Sequence, residues 1–192
     1  PVPQETVAIR ESFLQSAQLV GRDEELALMT GVIHGALRGQ GAAWLVGGES
    51  GVGKSRFVDE LRALALVRGA IVLRGQAITD VGAAYHLWRG IVRWLALAVD
   101  IGAQDAHILK AIVPDIERLL PAEDMSAIPP LEPEAAQSRL QTTVLDLFRQ
   151  LNSGANARPV VLVMEDLQWA GSEDIALLAR LVKGIRAMPL LI

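Results

Sequence analysis

One stretch of eight residues constrains this chain more than any other. Gly48-Glu49-Ser50-Gly51-Val52-Gly53-Lys54-Ser55 matches G-x-x-x-x-G-K-[ST] at every fixed position. The apolar run 42–46 before it predicts a short buried strand, and the periodicity of 56–68 after it predicts an amphipathic helix. Because strand, loop and helix is the order in which this pattern binds phosphate, we call residues 48–55 the phosphate loop.

The residue types of the phosphate loop suit a bound phosphate chain. Gly48, Gly51 and Gly53 allow positive φ and a close approach of the backbone, so that successive N–H groups can point at phosphate oxygens. Lys54 supplies a cation for the β- and γ-phosphates, and Ser55 supplies a hydroxyl oxygen for Mg²⁺. A glycine-rich turn that only caps a helix is the structural alternative. The residues predicted to contact the nucleotide here are Gly48, Glu49, Ser50, Gly51, Val52, Gly53, Lys54, Ser55 and Arg56.

Two further apolar runs predict strands of one parallel sheet. Residues 70–75 follow the helix after the loop, and a connection of that length favours a parallel partner. Residues 160–164 are apolar and rich in β-branched side chains, which predicts a central strand covered on both faces. A helix is predicted for 172–186. The chain is therefore expected to be an α/β protein.

Two carboxylates, Glu165 and Asp166, follow the predicted central strand. Ligands of open α/β sheets bind at the carboxyl ends of the strands, where the phosphate loop is also expected. We assign Glu165 to the metal and Asp166 to the attacking water, although the reverse assignment stays open because adjacent carboxylates titrate as a pair. Capping of the next helix is the structural alternative. With Lys54, these two acids are the candidate catalytic residues.

Composition excludes several classes of function. The formal charge is −4 and the pI is about 5.4, so a general nucleic-acid surface is not expected. The chain has no cysteine, which removes disulfides and thiolate metal sites and favours the cytoplasm. Charged residues interrupt every long apolar stretch, so no membrane span is predicted.

The chain reads as a short linker followed by one nucleotide-binding core. Residues 1–18 are predicted to be a linker and 19–192 the core, with a helical insert at about 79–133 marked by proline breaks. Residues 134–151 give the clearest amphipathic helix. Pro1 is not a natural start residue, and 188–192 stops as a strand begins, so we expect the sequence to be a piece of a longer protein.

Three segments together resemble a known family. They are Val20-Gly21-Arg22-Asp23-Glu24-Glu25-Leu26, the phosphate loop (Walker A), and Glu165-Asp166-Leu167-Gln168-Trp169-Ala170 (Walker B). Over residues 19–192 the chain resembles the AAA-type ATPase module of the signal-transduction ATPases with numerous domains (STAND), found in large bacterial signalling and transcription regulators.

The resemblance implies a three-layer P-loop NTPase fold, truncated near its fourth core strand. The strands of Walker A and Walker B would flank the strand that starts near Leu190. The turn Val20, Gly21 and Arg22 would lie at the adenine and ribose of ATP or ADP, bound with Mg²⁺. Gly171 stands where similar sequences commonly have Asp, which leaves Ser172 as the expected helix cap. The family's sensor and lid would follow Ile192, so hydrolysis is expected to be weak or absent.

Three functions remain in view. The leading one is a module that binds and slowly hydrolyses ATP and switches its neighbouring domains, in a transcription regulator, nucleotide cyclase or Ser/Thr protein kinase. The second is a nucleotide-binding scaffold without significant turnover. The third is another P-loop enzyme, such as a GTPase or small-molecule kinase, although no N-K-x-D stretch is present. The expected partners are the nucleotide and other domains of the same polypeptide, and nucleotide-dependent self-association is considered as well.

Overall fold

The computed structural model describes residues 21–79, 84–120, 132–153 and 157–192. The α-helices in these ranges are α1 (Asp23–Leu37), α2 (Lys54–Val67), α3 (Arg89–Ala98), α4 (Ala103–Leu109), α5 (Pro133–Leu151) and α6 (Ser172–Gly184). The strands are β1 (Ile71–Gln76), β2 (Val160–Glu165) and β3 (Leu190–Leu191). Single turns of 3-10 helix lie at His86–Trp88, Ile116–Arg118, Leu167–Trp169 and Ile185–Ala187.

The three strands form one parallel sheet in the order β1-β2-β3. Val160 and Val161 of β2 pair with β3 in parallel. At the β1 side, the N–H of Ile71 donates to Pro159 (2.8 Å) and the N–H of Ala77 donates to Glu165 (3.0 Å), so both strands run the same way. The predicted α/β class with a parallel sheet is confirmed, and the strands and helices fit a truncated P-loop NTPase fold.

The segment before the phosphate loop pairs with the other edge of β3. Ala42 forms an isolated parallel bridge with Leu191, and the N–H of Trp44 donates to the carbonyl of Ile192 at 2.8 Å. The expectation that β3 lies between this segment and β2 is therefore confirmed. The expected burial is wrong, since Leu45 is 83% exposed. The pairing reaches only as far as Ile192, and no other described strand covers this segment.

The chain divides into two compact units, and the first comprises residues up to 73 together with 158–163 and 185–192. In this unit α1 packs against α2 and β3. Met29 and Ile33 lie one helical turn apart on the buried face of α1, as the spacing predicts. Full burial of such side chains contributes about 1.5–3 kcal/mol each. The buried cluster consists of Met29, Ile33, Ala36, Phe57, Leu61, Ala65, Ala70, Val161 and Leu191.

The second unit comprises residues 74–157 and 164–184. In it α5 packs against α3, α4 and α6, and α6 also contacts the turn His86–Trp88. The predicted helix 134–151 is confirmed as α5, with Pro133 in its first turn and Leu140, Val144 and Leu147 on its buried face. Trp88 is fully buried, and its indole N–H donates to the carbonyl of Asp174 at 3.1 Å. The long, continuous apolar stripe of α5 explains why other helices gather around it.

Element boundaries differ from the expected ones by a few residues. Helix α2 begins at Lys54 rather than at residue 56, because Gly53, within the phosphate loop, is its N-cap. Strand β2 includes Glu165 instead of ending before it, and α6 ends at Gly184 with a 3-10 turn after it. The predicted linker 1–18 lies outside the described residues, as do 80–83 and 121–131 of the predicted insert. Across the described ranges, no helix has both the length and the apolar character to cross a membrane.

Candidate functional site

The phosphate loop lies on the surface of the first unit, with residues 48–53 all exposed. Gly51 has φ 84° and Gly53 has φ 88°, a left-handed conformation that costs a residue with a Cβ about 1–2 kcal/mol. Gly53 then passes directly into α2, which starts at Lys54. The glycines of the motif are thus needed where the backbone turns toward the helix N-terminus.

The backbone N–H groups of the phosphate loop are available to a ligand. Among the described residues, none of the N–H groups of 48–53 donates to a backbone carbonyl. The positive end of α2 adjoins these amides, and together they favour an anion. The loop therefore fits a phosphate group by its own backbone chemistry.

The side chain of Lys54 folds back onto the start of the phosphate loop. Its ammonium donates to the carbonyl oxygens of Gly48 (2.8 Å) and Glu49 (2.7 Å). Both acceptors are neutral carbonyl oxygens, so a phosphate oxygen would be a stronger partner for the ammonium. Of the other predicted contacts, Ser55 is exposed and Arg56 is half-buried.

The turn predicted to lie at the base and ribose leads into α1. Gly21 has φ 79°, and the carbonyl of Arg22 accepts the N–H of Leu26 at 2.9 Å, the first bond of the helix. The Arg22 guanidinium donates to Glu25 at 2.8 Å. That hydrogen bond lowers the pKa of the Glu25 carboxyl. Arg22 is thus occupied on its own helix, and Val20 lies outside the described residues.

The acidic pair, Glu165 and Asp166, lies in the second unit and is held by side chains of β1. Arg74 forms an ion pair with Glu165 through its Nε atom. The Nε2 of Gln76 donates to Asp166 Oδ2 at 2.8 Å, and Gln168 makes a longer contact of 3.4 Å to Oδ1 of the same carboxyl. Both acids therefore have partners on the neighbouring strand.

The backbone conformation explains how the consecutive residues Glu165 and Asp166 both contact the same face of β1. Arg74 and Gln76 are two residues apart on β1, so they lie on the same face of the strand. Asp166 follows β2 and has φ 57°, a left-handed conformation that breaks the strand alternation. Arg74 and Gln76 were not among the predicted site residues. The available signal was two polar residues at i and i+2, at the carboxyl end of a strand expected beside β2.

Gly75 fixes β1 in place between these two polar residues. A Cβ at Gly75 would lie 2.4 Å from the carbonyl oxygen of Leu87 and 3.0 Å from the sulfur of Met164. The 2.4 Å separation is excluded sterically, and the atom concerned belongs to backbone that cannot rotate away as a side chain could. Only glycine allows β1 to pass this close to Leu87, and the side chains of Arg74 and Gln76 are positioned by that contact.

The helix after the acidic pair is capped differently from the expectation. Asp174, three residues after Gly171, accepts the Gly171 N–H at 3.3 Å, the reach-back half of a capping box. Ser172 was expected to be the cap, but its hydroxyl donates to Glu173 at 2.9 Å. Asp174 is 4% exposed, and burial raises its pKa, while the amides of Gly171 and Leu87 and the charge of His86 oppose the rise.

The oxygen donors present suit a hydrated metal ion. In the described part of the chain, no group of three or more His, Asp or Glu side chains could hold a metal by itself. Mg²⁺ commonly takes one or two protein oxygens and keeps several waters and phosphate oxygens. Ser55, in the first unit, has an exposed hydroxyl, and Glu165, in the second, has a carboxylate; each is by itself an oxygen donor of the kind that Mg²⁺ accepts.

Comparison with protein-family models gives one finding. The model described as AAA ATPase domain matches residues 18–192. Neither the curated proteins nor the solved structures gave a match.

Proposed function

The chain belongs to the AAA ATPase domain family, which matches it over residues 18–192, and we propose on that premise that it binds ATP with Mg²⁺ and hydrolyses it slowly. The observation that carries this proposal is the phosphate loop. Its left-handed glycines, its backbone N–H groups, which donate to no backbone carbonyl of the described residues, and the start of α2 favour the binding of a polyphosphate. This arrangement needs no side chain beyond those in the motif.

In this proposal Lys54 exchanges its two loop carbonyls for phosphate oxygens. Those carbonyls accept at 2.7 and 2.8 Å, so the ammonium already lies over the loop. A charge-assisted contact to phosphate is stronger than the neutral contacts it replaces. Residues 48–56 supply the remaining contacts, chiefly through backbone N–H groups.

The acidic pair is proposed to serve the metal and the water. When bound with ATP, Mg²⁺ would neutralise charge on the phosphate oxygens. Glu165 and the Ser55 hydroxyl would hold that ion, and Asp166 would orient the attacking water. The reverse assignment of the two acids remains the alternative. That the acids act on the nucleotide held by the phosphate loop rests on family membership.

The remaining parts of the proposal concern the base and the wider protein. Val20, Gly21 and Arg22 are proposed to contact the adenine and ribose. The module is proposed to be of the STAND class and to act as a nucleotide-dependent switch on other domains of a cytoplasmic bacterial regulator, with self-association that depends on nucleotide. The resemblance of the three sequence segments supports this part.

Calorimetry with ATP and MgCl₂ tests the binding half of the proposal. Wild-type protein should bind ATP, and Lys54→Ala should weaken binding about tenfold or more, because a charge-assisted contact contributes about 1.5–3 kcal/mol. Lys183→Ala is the matched control, since Lys183 is an exposed lysine of α6 outside the loop. Folded wild-type protein that binds no ATP would refute the proposal, and equal binding of GTP would favour another P-loop function.

A nucleotide-binding scaffold without turnover is the second candidate. It is favoured by the pairing of both acids with Arg74 and Gln76, contacts with which a metal or a water would have to compete. Asp166→Asn separates the two candidates. An ATPase should lose phosphate release while keeping its ATP affinity, whereas a scaffold should show equal background release in both proteins.

A further inference from the structure

Glu165, the acid assigned to the metal, forms an ion pair with Arg74. Arg74 is 46% exposed and Glu165 is 21% exposed, so the pair lies at the surface rather than in the core. Exposed ion pairs contribute little to folding, with typical coupling of about 0.2–1 kcal/mol. Stabilisation of the fold is thus a weak explanation for a guanidinium at this carboxylate.

The backbone on both sides of this pair is fixed. The N–H of Ala77 donates to the carbonyl of Glu165 at 3.0 Å, which joins the end of β1 to the end of β2. A Cβ at Gly75 would lie 2.4 Å from the carbonyl oxygen of Leu87, so β1 passes directly against that backbone at the residue after Arg74. Gln76 occupies Asp166 on the same strand face at 2.8 Å. Arg74 is therefore held within reach of Glu165 rather than meeting it by chance.

We propose that Arg74 is a latch on Glu165, a positioning residue that holds this carboxylate and competes with a divalent cation for it. The inference rests on the proposed function, in which Glu165 serves the metal. A guanidinium N–H takes up part of the acceptor capacity of the carboxylate, and its positive charge repels a divalent cation at the same group. Arg74 therefore opposes metal binding at Glu165 and lowers the metal affinity of the free protein.

Titration of the nucleotide-free chain with Mn²⁺, followed by electron paramagnetic resonance, tests the latch. Arg74→Gln should bind Mn²⁺ about two- to fivefold more tightly than wild type, the size expected for an exposed pair. In a Glu165→Gln background the same substitution should change nothing, because the carboxylate that Arg74 pairs with is gone. Arg74→Lys keeps the charge without the fork geometry and should fall between wild type and Arg74→Gln.

Arg93→Gln is the matched control. Arg93 is also 46% exposed and pairs across two elements with Asp115 at 3.0 Å, in the same unit as Arg74. Its loss removes one positive charge and one exposed ion pair, so it should leave Mn²⁺ affinity unchanged. An equal gain in Arg93→Gln and Arg74→Gln would assign the effect to net charge and overturn the latch.

The outcomes separate the latch from the function on which it rests. Equal Mn²⁺ affinity in wild type and Arg74→Gln, or no saturable Mn²⁺ binding in either, overturns the latch. Binding of ATP in EDTA, measured in parallel, reports on the phosphate loop alone. If ATP binds in EDTA while Arg74→Gln leaves Mn²⁺ binding unchanged, the latch is wrong and the nucleotide function stands. If Arg74→Gln weakens ATP binding in EDTA, Arg74 is a nucleotide ligand and the latch is wrong.

Discussion

The phosphate loop and the acidic pair differ in how much of the chain is needed to position their binding groups. The loop is built from one continuous stretch, and its backbone N–H groups have no backbone partner among the described residues. The acidic pair depends on β1, which lies about 90 residues earlier in the chain, and Arg74 and Gln76 occupy both carboxylates. The sequence of the loop is thus constrained by the backbone conformations that its residues must adopt. The position of the acids is constrained by the neighbouring residues that must fit beside them. Substitutions can test that difference.

The largest expected effect is at Gly75, where space is the limit. Gly75→Ala should lower the free energy of unfolding by about 2 kcal/mol or more, because the added Cβ meets the backbone carbonyl of Leu87. Urea denaturation measures the loss. Gly90→Ala in α3 is the control, since a Cβ there meets nothing within 4 Å, and it should leave stability unchanged or raise it by up to about 1 kcal/mol, because alanine favours the helix. Equal effects of the two substitutions would contradict the steric limit.

A smaller effect is expected at Gly51, where conformation is the limit. A Cβ at Gly51 meets nothing within 4 Å, but its φ of 84° is unfavourable for alanine. Because the loop is exposed, it can relax, and Gly51→Ala should weaken ATP binding about fivefold for a strain of about 1 kcal/mol, with little change in thermal unfolding. Gly31→Ala, also sterically open and in the same unit, should leave ATP affinity unchanged. A large loss of stability in Gly51→Ala would remove the contrast with Gly75.

Asp174 sharpens the comparison because it is a buried acid in the unit that holds the exposed acidic pair. Its pKa is raised in the folded state by burial, with His86, Glu173 and Tyr85 as its titratable neighbours. The unfolded chain releases this proton first, so this carboxyl makes the protein less stable as the pH rises from the ordinary Asp pKa of about 4 through the raised value. Below both values the effect is absent.

Asp174→Asn should flatten this part of the stability profile, because the amide does not titrate. Thermal unfolding between pH 3 and pH 7 measures the slope. Asp146→Asn is the control, since Asp146 is an exposed acid of α5 paired with Arg149. A profile of Asp174→Asn that follows wild type would show that Asp174 does not titrate differently in the folded protein.

The smallest effect is expected at Gln76. Its amide donates to the exposed carboxylate of Asp166, and an exposed contact of this kind contributes about 0.5 kcal/mol. Gln76→Leu should therefore change the free energy of unfolding by no more than that amount, as measured in urea. A loss above about 2 kcal/mol would mean that the side-chain pairs hold the ends of β1 and β2 together, in place of Gly75 and the backbone.

The sequence predicts the parts of this fold that are continuous in the chain. The stripe Leu140, Val144 and Leu147 predicts the buried face of α5, because helical spacing and burial follow one periodicity. The position of β3 between the loop segment and β2 followed from the family resemblance. The phosphate loop could be found because a single motif contains all of its backbone requirements.

The parts that escaped prediction depend on register or on competition between side chains. Arg74 meets Glu165 only because β1 and β2 pair in one particular register, which neither strand specifies alone. Asp174 caps α6 in place of Ser172 because a carboxylate at the third helical position reaches back to the Gly171 amide. The exposure of Leu45 depends on which strands are present to cover it, so an apolar run alone did not reveal it.

The uncovered segment before the phosphate loop also affects how the protein behaves in concentrated solution. Trp44, Leu45 and Val46 are all exposed along an extended stretch that no described strand covers on its outer side. No charged residue interrupts this stretch, and unpaired, apolar backbone of this kind favours β-pairing between molecules. We expect light scattering to rise with protein concentration and on warming, and Leu45→Lys to delay aggregation while leaving the core untouched.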